Sequence, residues 1–390
     1  MKKLSMILPL ALILCIMVGC QDKEEKIDRI MEDGAEVIIN HLEPYKIAGE
    51  PSKLFLEEIF TVDTEMDEIA EIGVTDIRGF DVDSQGNIYF FQERENDENL
   101  VYKFDETGNF ATTFGKRGQG PKEIEIPIFT YINDKNEILI KDYNKPRLFF
   151  FDKDGNLTKE THLGKEYGSN RVFYPLENGN YLSYDLELDQ EKRHLYDIAQ
   201  LFDSNFEVLK ELDKCDYGPM APFTPKFKGT ARVFICRVSN RMIYIGHINR
   251  GYEILIFDSE GNLVKKVRKE YTPTDVPNEF KENWLVNIGR WKDKLYFPDE
   301  MPPFHYFFLD DDGRLYVKTY EKGNKENEYI HDIFNPEGIF IARVSIAGYG
   351  SWIYPQLTLN RAKAKNKRFY CIREKEDGFK ELVVYKMRWE

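Results

Sequence analysis

Cysteine is scarce. The 390-residue chain holds five, and Cys15 and Cys20 fall within its first 20 residues. Cys215, Cys236 and Cys371 remain, so at most one intramolecular disulfide can form, and no pair has the spacing of a zinc site. Cys236 in VFICRV and Cys371 in RFYCIRE sit in strand-like runs, where cysteine packs as a small hydrophobe. Histidine is thin too: the six (41, 162, 194, 247, 305, 331) show no paired spacing. There is no GxSxG elbow and no sialidase-type Asp box. These gaps leave no catalytic set, metal site or cofactor site to assign. After the first 20 residues no apolar run approaches the roughly 18 needed to span a bilayer. Positive charge is in deficit, with 54 Lys and Arg against 68 Asp and Glu and a formal net charge of −14. That balance disfavours nucleic acid and anionic membrane surfaces as general partners, while leaving room for a local basic pocket.

What is present begins with MKKLSMILPLALILCIMVGC. Lys2 and Lys3 precede an apolar stretch that is short for a span, the pattern of a secretory leader over residues 1–19. Met17-Val18-Gly19-Cys20 resembles a bacterial lipobox, which implies that Cys20 is the lipid attachment residue and anchors the chain to membrane. Gln21 to Glu25 resembles the acidic export signal of surface-exposed Bacteroidota lipoproteins, implying an outer membrane lipoprotein at the cell surface or the periplasmic face. Residues 20–51 read as a polar tether.

Aromatics are plentiful, with 28 Phe and 23 Tyr, and many fall in a diverged repeat. One element is an aromatic strand, a polar turn and a second strand. It occurs at 79–91, 129–142, 172–185, 233–246 and 306–319, with a weaker copy at 357–374. A second element, such as VYKFDETGNFATTFG (101–115) or EILIFDSEGNLVKKV (253–267), follows most copies. Val, Ile, Phe and Tyr suit a half-buried pleated surface, and Asp-Gly, Asn-Gly and Gly-Asn supply the positive φ of tight hairpins. Asp152-Lys153-Asp154-Gly155 and Asp310-Asp311-Asp312-Gly313 lack EF-hand ligand spacing, so their acids read as turn caps.

Two hairpins per repeat make a four-stranded blade, which buries its faces only by stacking. Six first elements predict an all-β fold, a closed six-bladed β-propeller of four-stranded antiparallel blades over 52–390. The sixth copy is one strand short. Leu54 to Val62 can supply the outer strand and close the ring, removing a free edge. A seventh blade through Trp284–Phe297 is the alternative. An insertion fits better, with a short helix over Pro277–Trp284 and one strand at Lys294–Phe297.

Phe114 to Glu123, following DSQGNIYFF and VYKFDETGNF, resembles the signature of the bacterial six-bladed β-propeller lipoproteins, relatives of NHL-repeat propellers. FPDEMPPFHYFFLDDDGRLYVKT (297–319) resembles a later blade of the same family. The resemblance covers most of 52–390 and implies a fold but no chemistry. Phe206-Glu207, in place of Gly-Asn, departs from it. The loop TTFGKRGQGPKE (112–123) lacks P-loop order and has strands on both sides, so it reads as a connector between blades rather than a phosphate cradle.

Counting eight residues back from the turn position of each first element gives Arg78, Ile128, Arg171, Arg232, His305 and Leu359. Four are basic. If they ring the channel mouth, Arg78, Arg171, Arg232 and His305 form a ligand-binding site for an anion. The rival reading pairs each arginine with an acid of a neighbouring blade, such as Asp76, Asp81, Asp83 or Glu177. The function expected is a lipid-anchored envelope module that binds a protein, a glycan or a small anionic ligand. A channel-centred hydrolase or lyase of lactonase type, or a scaffold subunit of an envelope complex, are the competing expectations.

Overall fold

The computed structural model describes residues 27–77, 79–91, 98–143, 145–164, 171–219, 226–229, 233–325, 328–347, 361–375 and 378–390. Six sheets follow the six sequence copies. Blade 1 comprises Phe80–Val82, Ile88–Phe91, Asn99–Phe104 and Phe110–Lys116. Blade 2 runs from Pro127–Ile132 to Leu157–His162, and blade 3 from Val172–Pro175 to Val208–Pro219. Blade 4 runs from Phe234–Ser239 to Leu263–Lys269, and blade 5 from Tyr306–Leu309 to Phe340–Ala347. Blade 6 takes Ala362–Lys365, Arg368–Glu374 and Lys380–Trp389, with Leu54–Asp63 as its outer strand. That last pairing is antiparallel, from Glu381↔Asp63 to Trp389↔Leu54, so the ring is closed by the N-terminal strand as the sequence predicts.

Local chemistry explains the hairpins. Asp105, Asp152 and Asp258 each accept backbone N–H bonds from residues two and four positions on, at 2.8–3.0 Å. Asp83 and Asp310 also accept the hydroxyls of Tyr89 and Tyr316, six residues on in the next strand. The carboxylates cap turns, as the sequence reading has it. Blade 3 makes its second turn without glycine, and Phe206 sits at φ 66. Its ring stacks on Tyr181 at 4.7 Å and meets Phe173 at 5.3 Å. Left-handed backbone costs a non-glycine residue about 1–2 kcal/mol, whereas removing a buried Phe costs about 3–5 kcal/mol. Phe206→Gly is therefore expected to destabilise by about 2 kcal/mol despite relieving the backbone; a higher urea midpoint in the variant would refute this.

The hydrophobic cores lie between blades rather than within them. Tyr89, Phe91 and Phe114 of blade 1 pack on Ile132, Ile140 and Phe149 of blade 2. Val62, Leu382 and Val384 of blade 6 pack on Phe80, Ile88 and Phe90 of blade 1. A blade on its own would expose both of these faces, which is why the ring is the folding unit.

The segment read as a tether is mostly not one. Asp28–Glu32 and Ala35–Asn40 form a hairpin through a turn in which Asp33 and Gly34 have φ 52 and 81. Its second strand adds in parallel to the outer strand of blade 4, from Glu36↔Lys265 to Asn40↔Lys269. Val37 and Ile38 are fully buried there. Charge matches as well: Arg268 binds Glu32 at 2.9 Å and Lys266 binds Asp33 at 2.7 Å. Asn40, also fully buried, donates to the carbonyls of Arg268 and Gly338 and accepts from the N–H of Phe340. It thereby staples blade 4 to blade 5.

The long link before blade 5 is an insertion, not a blade. It holds a helix at Asn278–Asn287 and a short strand at Leu295–Tyr296 that pairs in parallel with Phe227–Lys228. Trp284 packs beside Val276, Phe280, Met301 and Tyr320. The side chains of Trp291 and Trp352 lie outside the described residues.

Candidate functional site

The first strand of each blade lines the axis. One residue of each stands at an equivalent level, fixed by its pairing to the second strand: Asp81↔Tyr89, Tyr131↔Leu139, Tyr174↔Leu182, Arg237↔Tyr244, Phe308↔Tyr316 and Lys363↔Tyr370. Around this level lies a cavity of about 140 Å³, lined by Tyr131, Tyr174, Arg237, Phe308 and Lys363, with Asp134, Asp311 and Lys365 at the turn end.

Its charges are unevenly matched. Asp81 is 0% exposed and holds Lys363 across the boundary between blades 6 and 1, while also accepting the N–H of Ile132 at 2.9 Å. Arg237 has no such partner. Its guanidinium donates from Nη1 to the carbonyl of Cys236 at 2.7 Å and lies 4.7 Å from the centre of the Tyr306 ring. No carboxylate among the described residues pairs with it, and its Nε is buried without a hydrogen bond. Lys365 likewise makes no ion pair among the described residues. Burial, then the nearby Lys363 ammonium, lower its pKa, and Asp81, Asp311 and Asp134 act against them. Tyr131 and Tyr174 meet edge to face at 5.2 Å. Burial pushes the Tyr174 phenol up to about 12 and raises that of Tyr131 further, so both remain hydroxyl donors at neutral pH. Burial also pushes the Cys236 thiol far up, so it stays protonated.

Two of the four basic positions expected from the sequence, Arg171 and His305, fall elsewhere. Arg171 begins blade 3 at the opposite end of the inner strands. It binds Asp185 at 3.1 Å and Gln200 at 2.8 Å, both in its own blade, and lies 5.4 Å from the centre of the Phe202 ring. His305 is buried beside Tyr320, at 5.3 Å between ring centres. Neither lines the axial cavity. Arg78 and Arg232 lie outside the described residues. Three of the four acids named as rival partners bridge blades: Asp81 to Lys363, Glu177 to Arg241 at 2.6 Å, and Asp76 to Lys380 at 2.9 Å, while Asp83 caps its own hairpin.

The offset of eight overshoots the cavity level, which stands five residues before the turn position in blades 1, 2, 3 and 5 (Asp81, Tyr131, Tyr174 and Phe308), and unequal turns add to the miss in blades 4 and 6. Blades 4 and 6 make two-residue turns at Asn240-Arg241 and Asn366-Lys367, all four residues at positive φ. Blade 1 instead leaves five residues between Val82 and Ile88. A fixed offset therefore lands on different levels of the channel in different blades.

The glycine loop consumes its own charge. Glu123 pairs with Lys116 at 3.6 Å and accepts the N–H of Gly120, while Arg117 donates to the carbonyl of Glu125 at 2.9 Å. Gly118 has φ 154, and a Cβ there would fall 2.0 Å from the Glu123 carboxylate. The loop is the connector that the sequence suggests. Cys215, Cys236 and Cys371 are free and buried. Among the described residues no group of three His, Cys, Asp or Glu side chains could hold a metal ion.

A second ionisable cluster lies in blade 5. Burial, reinforced by the Lys322 and Arg361 charges, pushes Lys318 down to about 7. Burial, with Lys318 beside it, pushes His331 down to about 3. An unfolded chain protonates this histidine near pH 6.5, whereas the native state refuses the proton until about pH 3. Stability is accordingly expected to fall as pH drops from 6.5 toward 3, by at most about 3 kcal/mol at pH 4 from this residue. His331→Gln should flatten that part of the urea-midpoint profile; an unchanged profile would show that other groups cause the acid loss.

Six four-stranded blades closed around an axis make this chain a six-bladed β-propeller. Comparison agrees: a family model described as 6-bladed beta-propeller matches residues 79–217. Among solved structures, a Bacteroides fragilis protein described as exported aligns with a TM-score of 0.51 and 13% identity, over 91% of this chain and 99% of its own. A DUF4221-family protein from Bacteroides vulgatus aligns with a TM-score of 0.49 and 12% identity, over 87% and 100%. Virginiamycin B lyase from Staphylococcus aureus aligns with a TM-score of 0.40 and 9% identity, over 86% and 99%. At such identities the likeness is one of fold. No curated protein sequence matches the chain.

Proposed function

We propose that this chain is a lipid-anchored propeller of the cell envelope that binds a small anionic ligand in its axial cavity. The observation that carries the reading is Arg237, a half-buried guanidinium facing the cavity with no carboxylate partner among the described residues. A guanidinium in such a place favours a bidentate carboxylate or phosphate oxygen pair, and partial desolvation strengthens the contact. The Lys365 ammonium adds a second cation at the turn end of the cavity, and Tyr131 and Tyr174 wall it.

Anything that binds the native state raises its melting temperature by mass action. A panel of acetate, sulfate, phosphate and larger carboxylates is therefore expected to include some that raise the melting temperature of the wild type and not of Arg237→Ala. If none moves the wild type, the reading is wrong.

The envelope assignment rests on the leader and on Cys20, and the exported Bacteroides fragilis protein of like fold supports it. Cys20→Ser is expected to move the protein from the membrane fraction to the soluble fraction and to abolish incorporation of labelled palmitate. Membrane retention of that variant would exclude lipid anchoring at Cys20. Eight residue steps separate Cys20 from Asp28, a reach of at most about 28 Å. Because the hairpin is docked, such an anchor would hold the outer edge of blade 4 close to the bilayer.

A further inference from the structure

We infer that the ligand of the axial cavity is a single-ring sugar carboxylate, a hexuronate, seated with its carboxylate on Arg237; this rests on the anion-binding reading above. Size is the first argument. A cavity near 150 Å³ holds a benzene-sized ring, and this one measures about 140 Å³, so it takes at most one ring, whose substituents must reach out past the rim. The distribution of charge is the second. Arg237 and the Asp81-neutralised Lys363 lie at the level of the inner ring, whereas Asp134 and Asp311 stand exposed at the rim beside Lys365.

Rim carboxylates repel a second negative charge, which disfavours nucleotides and polyphosphates, as does the net charge of −14. The same carboxylates accept hydrogen bonds, so they suit a ring whose outward groups are hydroxyl donors. Walls of Tyr131, Tyr174 and Phe308 give a ring apolar surface to pack on, with Ser239 and Asn240 adding polar groups. A monoanion with hydroxyls on the side away from its carboxylate satisfies all of these. Benzoate lacks the hydroxyls, glucose lacks the charge, and a peptide C-terminus lacks the ring.

The test is calorimetric titration of the full mature chain with glucuronate and galacturonate, beside glucose, benzoate, N-acetylglycine and phosphate. At least one uronate is expected to bind ten-fold or more tightly than any other probe. Arg237→Ala should weaken it at least ten-fold, with folding checked by circular dichroism. Asp134→Asn and Asp311→Asn, on exposed rim residues, give a second readout, with folding checked again because Asp311 also accepts the N–H of Asn366 at 2.6 Å: together they should weaken uronate several-fold and leave benzoate unchanged. If benzoate, N-acetylglycine or phosphate binds as tightly as the uronates in an Arg237-dependent way, the sugar inference falls and the anion reading stands. If the rim variants leave uronate binding unchanged, the sugar inference falls too. If no anion binds the wild type, both fall.

Discussion

A chain that begins at residue 64 is expected to lose cooperative folding. Leu54–Asp63 supplies the outer strand of blade 6 along nearly the full length of Lys380–Trp389. Its loss would remove that ladder and take Val62, which is 2% exposed, out of the core between blades 6 and 1. Each backbone hydrogen bond contributes about 0.5–1.5 kcal/mol net, and a buried valine about 1.5–3 kcal/mol. The total rivals the roughly 5–15 kcal/mol that holds a domain folded. The exposed edge would also invite pairing between chains. The control is a chain beginning at residue 48, which lacks the hairpin on blade 4 but keeps the closing strand. That chain should melt cooperatively at a lower temperature, while the shorter one aggregates or shows no thermal transition. If both melt alike, ring closure is not what holds the fold.

The second large effect is expected at Lys363. Replacement by methionine keeps the length of the side chain and removes its charge, leaving the Asp81 carboxylate, among the described residues, with the backbone donors Ile132 at 2.9 Å and Val82 at 2.8 Å alone. Breaking a buried ion pair on one side costs about 3–5 kcal/mol, whereas replacing both partners is often nearly neutral. Lys363→Met should therefore destabilise by that amount, and Asp81→Asn combined with Lys363→Met should recover most of it. Chemical denaturation of the four proteins in the double-mutant cycle measures the coupling. Additive losses would mean that the pair does not act as a unit. Because Lys363 also lines the axial cavity, its ligand affinity is interpretable only in the folded double variant.

The blades were legible in the chain because their signals are local. DSQGNIYFF, DETGNF and DKDGNL each place a capping acid two and four residues ahead of the N–H groups it accepts, within one hairpin. The closing strand was legible by subtraction, since the sixth copy lacked one strand and Leu54–Val62 read as one. The hairpin at 28–40 carried its own signal, a Asp33-Gly34 turn followed by AEVII. Its acidic neighbours nevertheless make the segment read as solvated. Those same acids turn out to face Lys266 and Arg268 of blade 4.

The candidate site was not legible to the same degree. Counting eight residues back overshoots the cavity level by three in four blades, and the two-residue turns of blades 4 and 6 put Arg237 and Lys363 further out of alignment. Arg171 looked available because its partners, Asp185 and Gln200, become neighbours only through strand pairing within the blade. The sequence alone determined the blade strands, their turns and the number of blades, since each depends on residues a few positions apart, and the closing strand followed from the one missing in the sixth copy. Only the tertiary structure decided which charges meet: Lys363 finds Asp81 at a separation of 282 residues, Asn40 reaches Phe340 at 300, and Arg237 is left facing the axis. Such pairings depend on how register and closure bring distant side chains within about 3 Å, and periodicity along a chain carries no record of that.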